Sequence, residues 1–258
     1  MSEAALSVES LTVRFGGLVA VSEVSFVVRE GEIASLIGPN GAGKTTAFNV
    51  ITGFLRASAG TVSYRGASLD GLRPNQVADL GVVRTFQKTS LFGGLSVFDN
   101  VLIGLHRQGR GRAWEILLAL PRIRAEERQL RRQAAAILER VGLSGRGGEL
   151  ASDLPYGEQR LLEVAVALGA SPSLLLLDEP SSGMNPSETE DFMGKVSAIR
   201  QGGTTIFLVE HDMRMVMGIS DRIIVLNQGT ILAEGTPEEI RRHPEVIRAY
   251  LGEAAAHA

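Results

Sequence analysis

The chain has 258 residues, a formal net charge of −3 and no cysteine. At this length it buries about three quarters of the surface its unfolded form exposes, so it needs no cross-links to fold, and the missing cysteines agree with a reducing compartment. The slightly acidic balance argues against a nucleic-acid binder that works through bulk positive charge, and no apolar run approaches the roughly 18 residues of a membrane helix.

The opening MSEAALSVES has neither a basic stretch nor an apolar core of signal-peptide length. LSVESLTVRF and VAVSEVSFVV then alternate apolar and polar residues around Gly16 and Gly17, which predicts two antiparallel strands, the first ending at Phe15. An apolar strand, Ile33 to Ile37, runs into GPNGAGKTT. This fits G-x-x-x-x-G-K-[ST], a loop whose backbone N–H groups wrap nucleotide phosphates while its lysine reaches the β and γ oxygens and a hydroxyl ligates Mg²⁺. Gly38, Gly43, Lys44 and Thr45 fill the required places, Pro39, Asn40, Gly41 and Ala42 lie between them, and Thr46 follows. Thr45 to Thr52 reads as a helix with its positive N-terminal end beneath the phosphates.

GTVSYRG and VVRTFQ supply further strands, the second leading to Gln87. From Ser96 to about Ala170 the pattern is helical, with leucines and isoleucines forming apolar faces between arginines and glutamates. The arginine-rich part of this region holds Trp114, the only tryptophan, and Glu115, Glu126 and Glu127 offset some of its charge. It reads as the solvated face of a helix in preference to a contact with anionic lipid or a partner. LPYGE follows at Leu154 to Glu158. LLLLDEP is a short continuous apolar run, the mark of a parallel strand buried on both faces, and it ends in the carboxylate pair Asp178 and Glu179. TTIFLVEHD, which carries His211, and RIIVLNQ repeat this strand type with helices between, so the main layer is α/β.

Taken in order, the phosphate loop, Gln87, LPYGE, LLLLDEP and His211 resemble the nucleotide-binding subunit of ATP-binding cassette (ABC) transporters over nearly the whole chain. The resemblance implies a P-loop ABC ATPase core with an N-terminal antiparallel β subdomain. Residues 1–258 would form a single ATPase domain, with a helical subdomain inserted at approximately 96–170. It implies ATP and Mg²⁺ as the cofactors, with Asp178, Thr45 and Gln87 on the metal. Glu179 becomes the general base that polarises the attacking water, and Gln87 also contacts that water while its loop senses the transmembrane partner. His211 hydrogen-bonds the γ-phosphate. Phe15 stacks on adenine, an interaction worth roughly 1 to 3 kcal/mol that needs no hydrogen-bond code.

LPYGE corresponds to the family's L-S-G-G-Q segment, which closes on the ATP of a second copy. Pro155 replaces serine, Tyr156 replaces glycine and Glu158 replaces glutamine, so no serine hydroxyl is available to the γ-phosphate. Gly157 and the N-terminus of the helix beginning near it remain as donors, with the Tyr156 hydroxyl as a possible substitute. After Glu179 the loop reads PSSGMNP where many relatives have S-A-L-D, so Asn185 stands in place of an aspartate. These departures, together with YGEQR, GMNP and the ending TPEEIRRHPEVIRAYLGE, are most similar to the larger ATPase subunit of branched-chain amino-acid importers.

That resemblance implies transmembrane permease subunits as partners, a second ATPase subunit that is identical or a paralogue, and a periplasmic binding protein reached indirectly. It implies no nucleic acid, and a location at the cytoplasmic face of the inner membrane. The ATPase of lipopolysaccharide export is the alternative transporter reading, similar in length and in a GTP-x-E-I segment, but it retains S-G-G in its signature. A non-transport ABC ATPase acting on nucleic acid or ribosomes would carry a long coiled-coil insertion or a second cassette. No N-K-x-D guanine motif is present, which disfavours a GTPase.

Overall fold

The computed structural model describes residues 3–85, 91–105 and 121–256. The chain divides into two compact units, one of Met1–Arg84, Ser173–Ser182 and Arg200–Ala258, the other of Thr85–Pro172 and Gly183–Ile199. Gln87 and Trp114 lie outside the described residues.

The first unit is built from ten strands among the described residues: β1 (Ala4–Phe15), β2 (Leu18–Arg29), β3 (Ile33–Ile37), β4 (Ala59–Tyr64), β5 (Ala67–Ser68), β6 (Val82–Arg84), β7 (Leu174–Asp178), β8 (Thr205–Val209), β9 (Arg222–Asn227) and β10 (Thr230–Gly235). They form an antiparallel sheet in the order β2-β1-β4-β5 and a second sheet in the order β10-β9-β3-β8-β7-β6. In the second sheet every pairing from β9 to β6 is parallel. Each residue of β3, β7 and β8 is buried, as continuous apolar runs demand when both faces of a strand are covered. The β1–β2 hairpin mixes buried and exposed positions instead, since one face of an antiparallel sheet meets the core and the other meets water, and register shifts along β1 break the strict alternation.

Helix α1 (Lys44–Ile51) links the two sheets. Its Phe48 ring centre lies 5.1 Å from that of Phe207 on β8, which in turn lies 5.5 Å from Phe26 on β2. Arg222 adds a polar tie at the start of β9: its buried guanidinium donates to Glu32 at 2.5 Å and also bonds Glu234 and the Val27 carbonyl. A short helix α2 (Pro74–Asp79) precedes β6.

The second unit is helical, with α3 (Val97–Leu105), α4 (Pro121–Arg140), α5 (Tyr156–Leu168) and most of α6 (Pro186–Gln201). On the exposed side of α4, Arg131 pairs with Glu127 one turn away. Buried Asn100 staples the segment before α3, accepting from the Phe92 N–H at 2.9 Å and donating to the Phe92 and Ser96 carbonyls at 3.1 and 3.0 Å. Phe92 and Leu95 remain exposed beside it. No helix among the described residues is long and apolar enough to cross a membrane.

Helices α3 and α5 approach until backbone meets backbone. A Cβ added at Gly104 would lie 2.3 Å from the Val166 carbonyl oxygen. The oxygen belongs to the helix main chain and cannot move aside as a side chain would. Gly104→Ala is therefore expected to destabilise the protein by about 1–3 kcal/mol, read as a lower urea midpoint at unchanged slope.

Candidate active site

Three parallel strands end level with one another. Leu36 of β3 and Asp178 of β7 both pair with Val209 of the intervening β8. The phosphate-loop sequence leaves β3, Glu179 leaves β7 and Glu210–His211 leave β8, all beyond the carboxyl ends of the strands, where open α/β sheets place their ligands.

The loop after β3 is shaped by glycines that no other residue could replace without displacing main chain. Gly38 has φ +152°, and a Cβ there would sit 2.1 Å from the Leu226 carbonyl oxygen; Gly43 has φ +102°, and its Cβ would sit 2.6 Å from that of Ala20. The turn closes through an Ala42 N–H bond to the Pro39 carbonyl, and Gly229 N–H bonds the Ala42 carbonyl at 3.1 Å. Gly43 then caps α1 in a left-handed conformation, so the first N–H groups of the helix face the loop's interior. Lys44 is buried with its ammonium inside this turn, donating to the carbonyls of Gly38 at 2.5 Å and Pro39 at 2.9 Å. Its charge is thus held where phosphate oxygens would lie. Thr45 is exposed on the first turn of α1.

Asp178 is buried at the end of β7 and accepts from Arg84 at 2.5 Å. Arg84, on β6, also donates to Asn49 at 2.7 Å and Thr52 at 3.3 Å near the end of α1, and its guanidinium lies 5.5 Å from the Phe48 ring centre. One cation therefore orients the acidic strand end against the helix that follows the loop. The oxygen donors of Asp178 and Thr45 suit Mg²⁺, which is commonly held by one or two carboxylates plus substrate phosphates. Among the described residues no cluster of three His, Cys, Asp or Glu side chains forms an all-protein metal cage.

Glu179 adopts φ +47°, the left-handed region, while its N–H still bonds the Val209 carbonyl at 2.8 Å. This conformation costs about 1–2 kcal/mol in a residue with a Cβ, and it swings the chain off the strand. Glu210 fixes the next segment. Fully buried, it accepts from the N–H and hydroxyl of Ser181 at 2.8 and 2.5 Å and from the N–H groups of His211 and Asp212 at 2.7 and 3.1 Å. The loop after Glu179 is thereby tied to His211, whose exposed ring has Nδ1 3.5 Å from Glu210. Asp212 caps the following helix, α7 (Met213–Ile219).

Phe15 stands half exposed at the tip of the β1–β2 hairpin, opposite Leu18 and before Gly16 at φ +59°. Tyr156, Gly157 and Glu158 open α5 in the helical unit. Pro155 is the residue before the helix and provides no side-chain cap, as expected where proline replaces serine. Glu158 instead pairs with Arg146 at 3.2 Å. Asn185 has a clear local role: its side chain accepts from the N–H groups of Ser187 and Glu188 at 2.9 and 3.0 Å, and Glu188 accepts from the Asn185 N–H at 2.9 Å. This is a capping box, with Pro186 in the first helical position.

Sequence reasoning missed Arg84, Glu210 and Glu188. The pattern N-P-S-E was readable as a capping box, and an arginine inside an apolar strand run was a signal for a buried pair. Glu210 gave none, because a carboxylate beside His211 and Asp212 looks like any strand-end charge.

A family model described as ABC transporter matches residues 21–182, and one described as branched-chain amino acid ATP-binding cassette transporter matches 230–256. The high-affinity branched-chain amino acid transport ATP-binding protein LivG of Salmonella typhimurium is 51% identical over 255 residues, which are 98% of this chain and 100% of the relative. Its counterpart BraF of Pseudomonas aeruginosa is 46% identical over the same shares. Among solved structures, the ADP conformation of MJ1267, an ATP-binding cassette of an ABC transporter, superposes with a TM-score of 0.86 at 31% identity, covering 97% of this chain and 100% of that one. A nucleotide-free cassette from an ABC transporter gives 0.83 at 32% identity, covering 96% and 99%. With a matched family model over more than half its length and relatives aligned end to end, the chain belongs to the ATP-binding cassette ATPases of the ABC transporter family.

Proposed function

We propose that this ATPase powers the import of branched-chain amino acids, or related small polar solutes, through permease subunits supplied by other chains. The observation that carries the proposal is the level ending of β3, β8 and β7, which sets the phosphate loop, Glu179 and His211 at one end of one sheet. The two units act as a single cassette domain. Relatives at 46 to 51% identity bear branched-chain transport names, and the match of 230–256 to a branched-chain cassette model points the same way, which favours this reading over lipopolysaccharide export.

In this reading residues 38–46 enclose the phosphates of ATP, Lys44 neutralises the β and γ oxygens, and Phe15 stacks on the adenine. Thr45, Asp178 and Gln87 would hold Mg²⁺, which would neutralise phosphate charge. Arg84 keeps the Asp178 carboxylate in place. Glu179 accepts a proton from water as the water oxygen attacks the γ-phosphorus; the bond to the bridging oxygen breaks, leaving ADP and inorganic phosphate. His211, held by Glu210, donates to the γ-phosphate. The LPYGE segment of a second ATPase subunit, identical or paralogous, covers the nucleotide with Tyr156, Gly157 and Glu158. The assembly works at the cytoplasmic face of the inner membrane, with a periplasmic binding protein delivering solute and with no nucleic acid involved. Leu91 and exposed Phe92, set by Asn100, supply an apolar surface for a permease helix.

Three measurements test the reading. In the assembled complex Glu179→Gln is expected to bind ATP as tightly as the unaltered protein while turning over about 10² to 10⁴ times more slowly, and unchanged turnover would remove Glu179 as the base. Arg84→Met strands the Asp178 carboxylate in a buried site, so a loss of about 3–5 kcal/mol in urea unfolding is expected. Pairing it with Asp178→Asn should cost less than the sum of the two single changes. Finally, deleting the gene should abolish uptake of leucine, isoleucine and valine. Intact branched-chain uptake with loss of urea, amide or acidic amino-acid uptake would keep the ATPase and reject the solute.

A further inference from the structure

Two departures from the family pattern, the tyrosine in LPYGE and the glycine in PSSGMNP, touch each other. Gly183 has φ +85°, and a Cβ built on it would lie 2.9 Å from Cε1 of Tyr156, 3.2 Å from Cζ and 3.3 Å from the hydroxyl oxygen. The tyrosine ring therefore lies across bare main chain. The alanine that many relatives carry at this position would press its Cβ into the ring.

The ring is also held from below. Its hydroxyl accepts from Arg160 at 2.6 Å, one turn along α5, and the guanidinium lies 5.1 Å from the ring centre. Arg160 is itself anchored to Glu163 at 2.8 Å, with both side chains buried. Burial works against the guanidinium's charge, but Glu163 and Tyr156 outweigh it and hold the group above the usual arginine range. The Tyr156 hydroxyl is thus engaged along its own helix, while the ring, part of which stays exposed, lies against Gly183.

A second contact runs in parallel. The Gly157 N–H donates to one oxygen of Glu188 at 3.4 Å, while the other oxygen accepts from Asn185 at 2.9 Å. A Cβ on Gly157 would meet Glu188 Cγ at 3.0 Å. Adjacent residues of the signature segment therefore grip both ends of the loop Gly183–Glu188, by ring packing at one and by a carboxylate at the other.

We propose that Tyr156 is a positioning residue that couples the signature helix to the loop following Glu179 within one subunit, through the seat its ring finds on Gly183. When the start of α5 shifts to engage phosphate, the ring carries residues 183–185 with it, so nucleotide capture and loop placement become one movement. The substitutions at 156 and 183 are then a matched pair: the large-for-small exchange at 156 goes with the small-for-large exchange at 183. The proposal rests on reading LPYGE as the segment that closes on a second subunit's ATP.

The test uses the full chain in its assembled transporter, with kcat, KM for ATP and thermal midpoint measured for each variant. Tyr156→Ala is expected to lower kcat about tenfold and to move KM for ATP by a smaller factor, because Lys44 and the phosphate loop are untouched while the loop beside the base is misplaced. Tyr156→Phe keeps the ring on Gly183 while losing the hydroxyl, and should retain at least about threefold more kcat than Tyr156→Ala. Gly183→Ala should lose at least as much kcat as Tyr156→Ala, since its Cβ meets the ring and φ +85° is itself strained for alanine, and Tyr156→Gly combined with Gly183→Ala should recover part of that loss, since the clash is removed while the strain stays. Equal kcat for the Ala and Phe variants, or a double variant no better than Gly183→Ala alone, would overturn the coupling. Lys44→Ala separates the two levels of the argument. If it leaves hydrolysis intact the reading of residues 38–46 as the phosphate site fails, whereas abolished hydrolysis without rescue in the pair sinks the coupling alone.

Discussion

The register of the central parallel strands is the constraint on which the site depends. Because Leu36 and Asp178 flank the same residue of β8, the turns that leave these strands start from one level, and groups distant in sequence meet without any long loop. That register is held by burial on both faces. Shifting one strand by a residue would exchange every side chain between two apolar layers and move the acidic end of β7 into or out of the sheet.

Buried charge then performs the fine positioning, and each instance is satisfied in a different way. Arg84 meets Asp178 as an ion pair supplemented by Asn49 and Thr52, whereas Glu210 has four neutral donors, with the His211 ring nitrogen 3.5 Å away. Neither arrangement is an obvious gain in stability, since removing an ion from water costs several kcal/mol before any partner is counted. Their value lies in direction. A carboxylate bonded at fixed points cannot rotate, and preorganised groups of this kind need little rearrangement when charge develops on a reacting phosphate.

In the helical unit the same economy of movement is reached by packing. Proline in place of serine removes a side-chain cap from α5, and what remains at its start is a tyrosine laid over a glycine and an N–H turned toward Glu188. Asn185 in place of aspartate retains the geometry of an N-terminal cap, so the change of residue leaves the start of α6 intact. Departures that look like losses in a motif are, in three dimensions, parts of one contact.

The sequence alone indicated every strand except β5 and β10, the phosphate loop and the identity of the groups beyond β3, β7 and β8, because these follow from short-range facts: apolar runs, a glycine spacing, and the position of a charge at the end of a strand. It also indicated a helical region, through periodicity that needs no tertiary contact. It could not indicate that Arg84 would face Asp178, that Glu210 would bind Ser181, or that Tyr156 would rest on Gly183. Those partners are separated by 94, 29 and 27 residues, and their meeting depends on strand order and helix placement. Local pattern specifies what each segment is; only the packed chain decides which polar groups are left facing each other once water has been excluded, and it is there that the candidate site acquires its orientation.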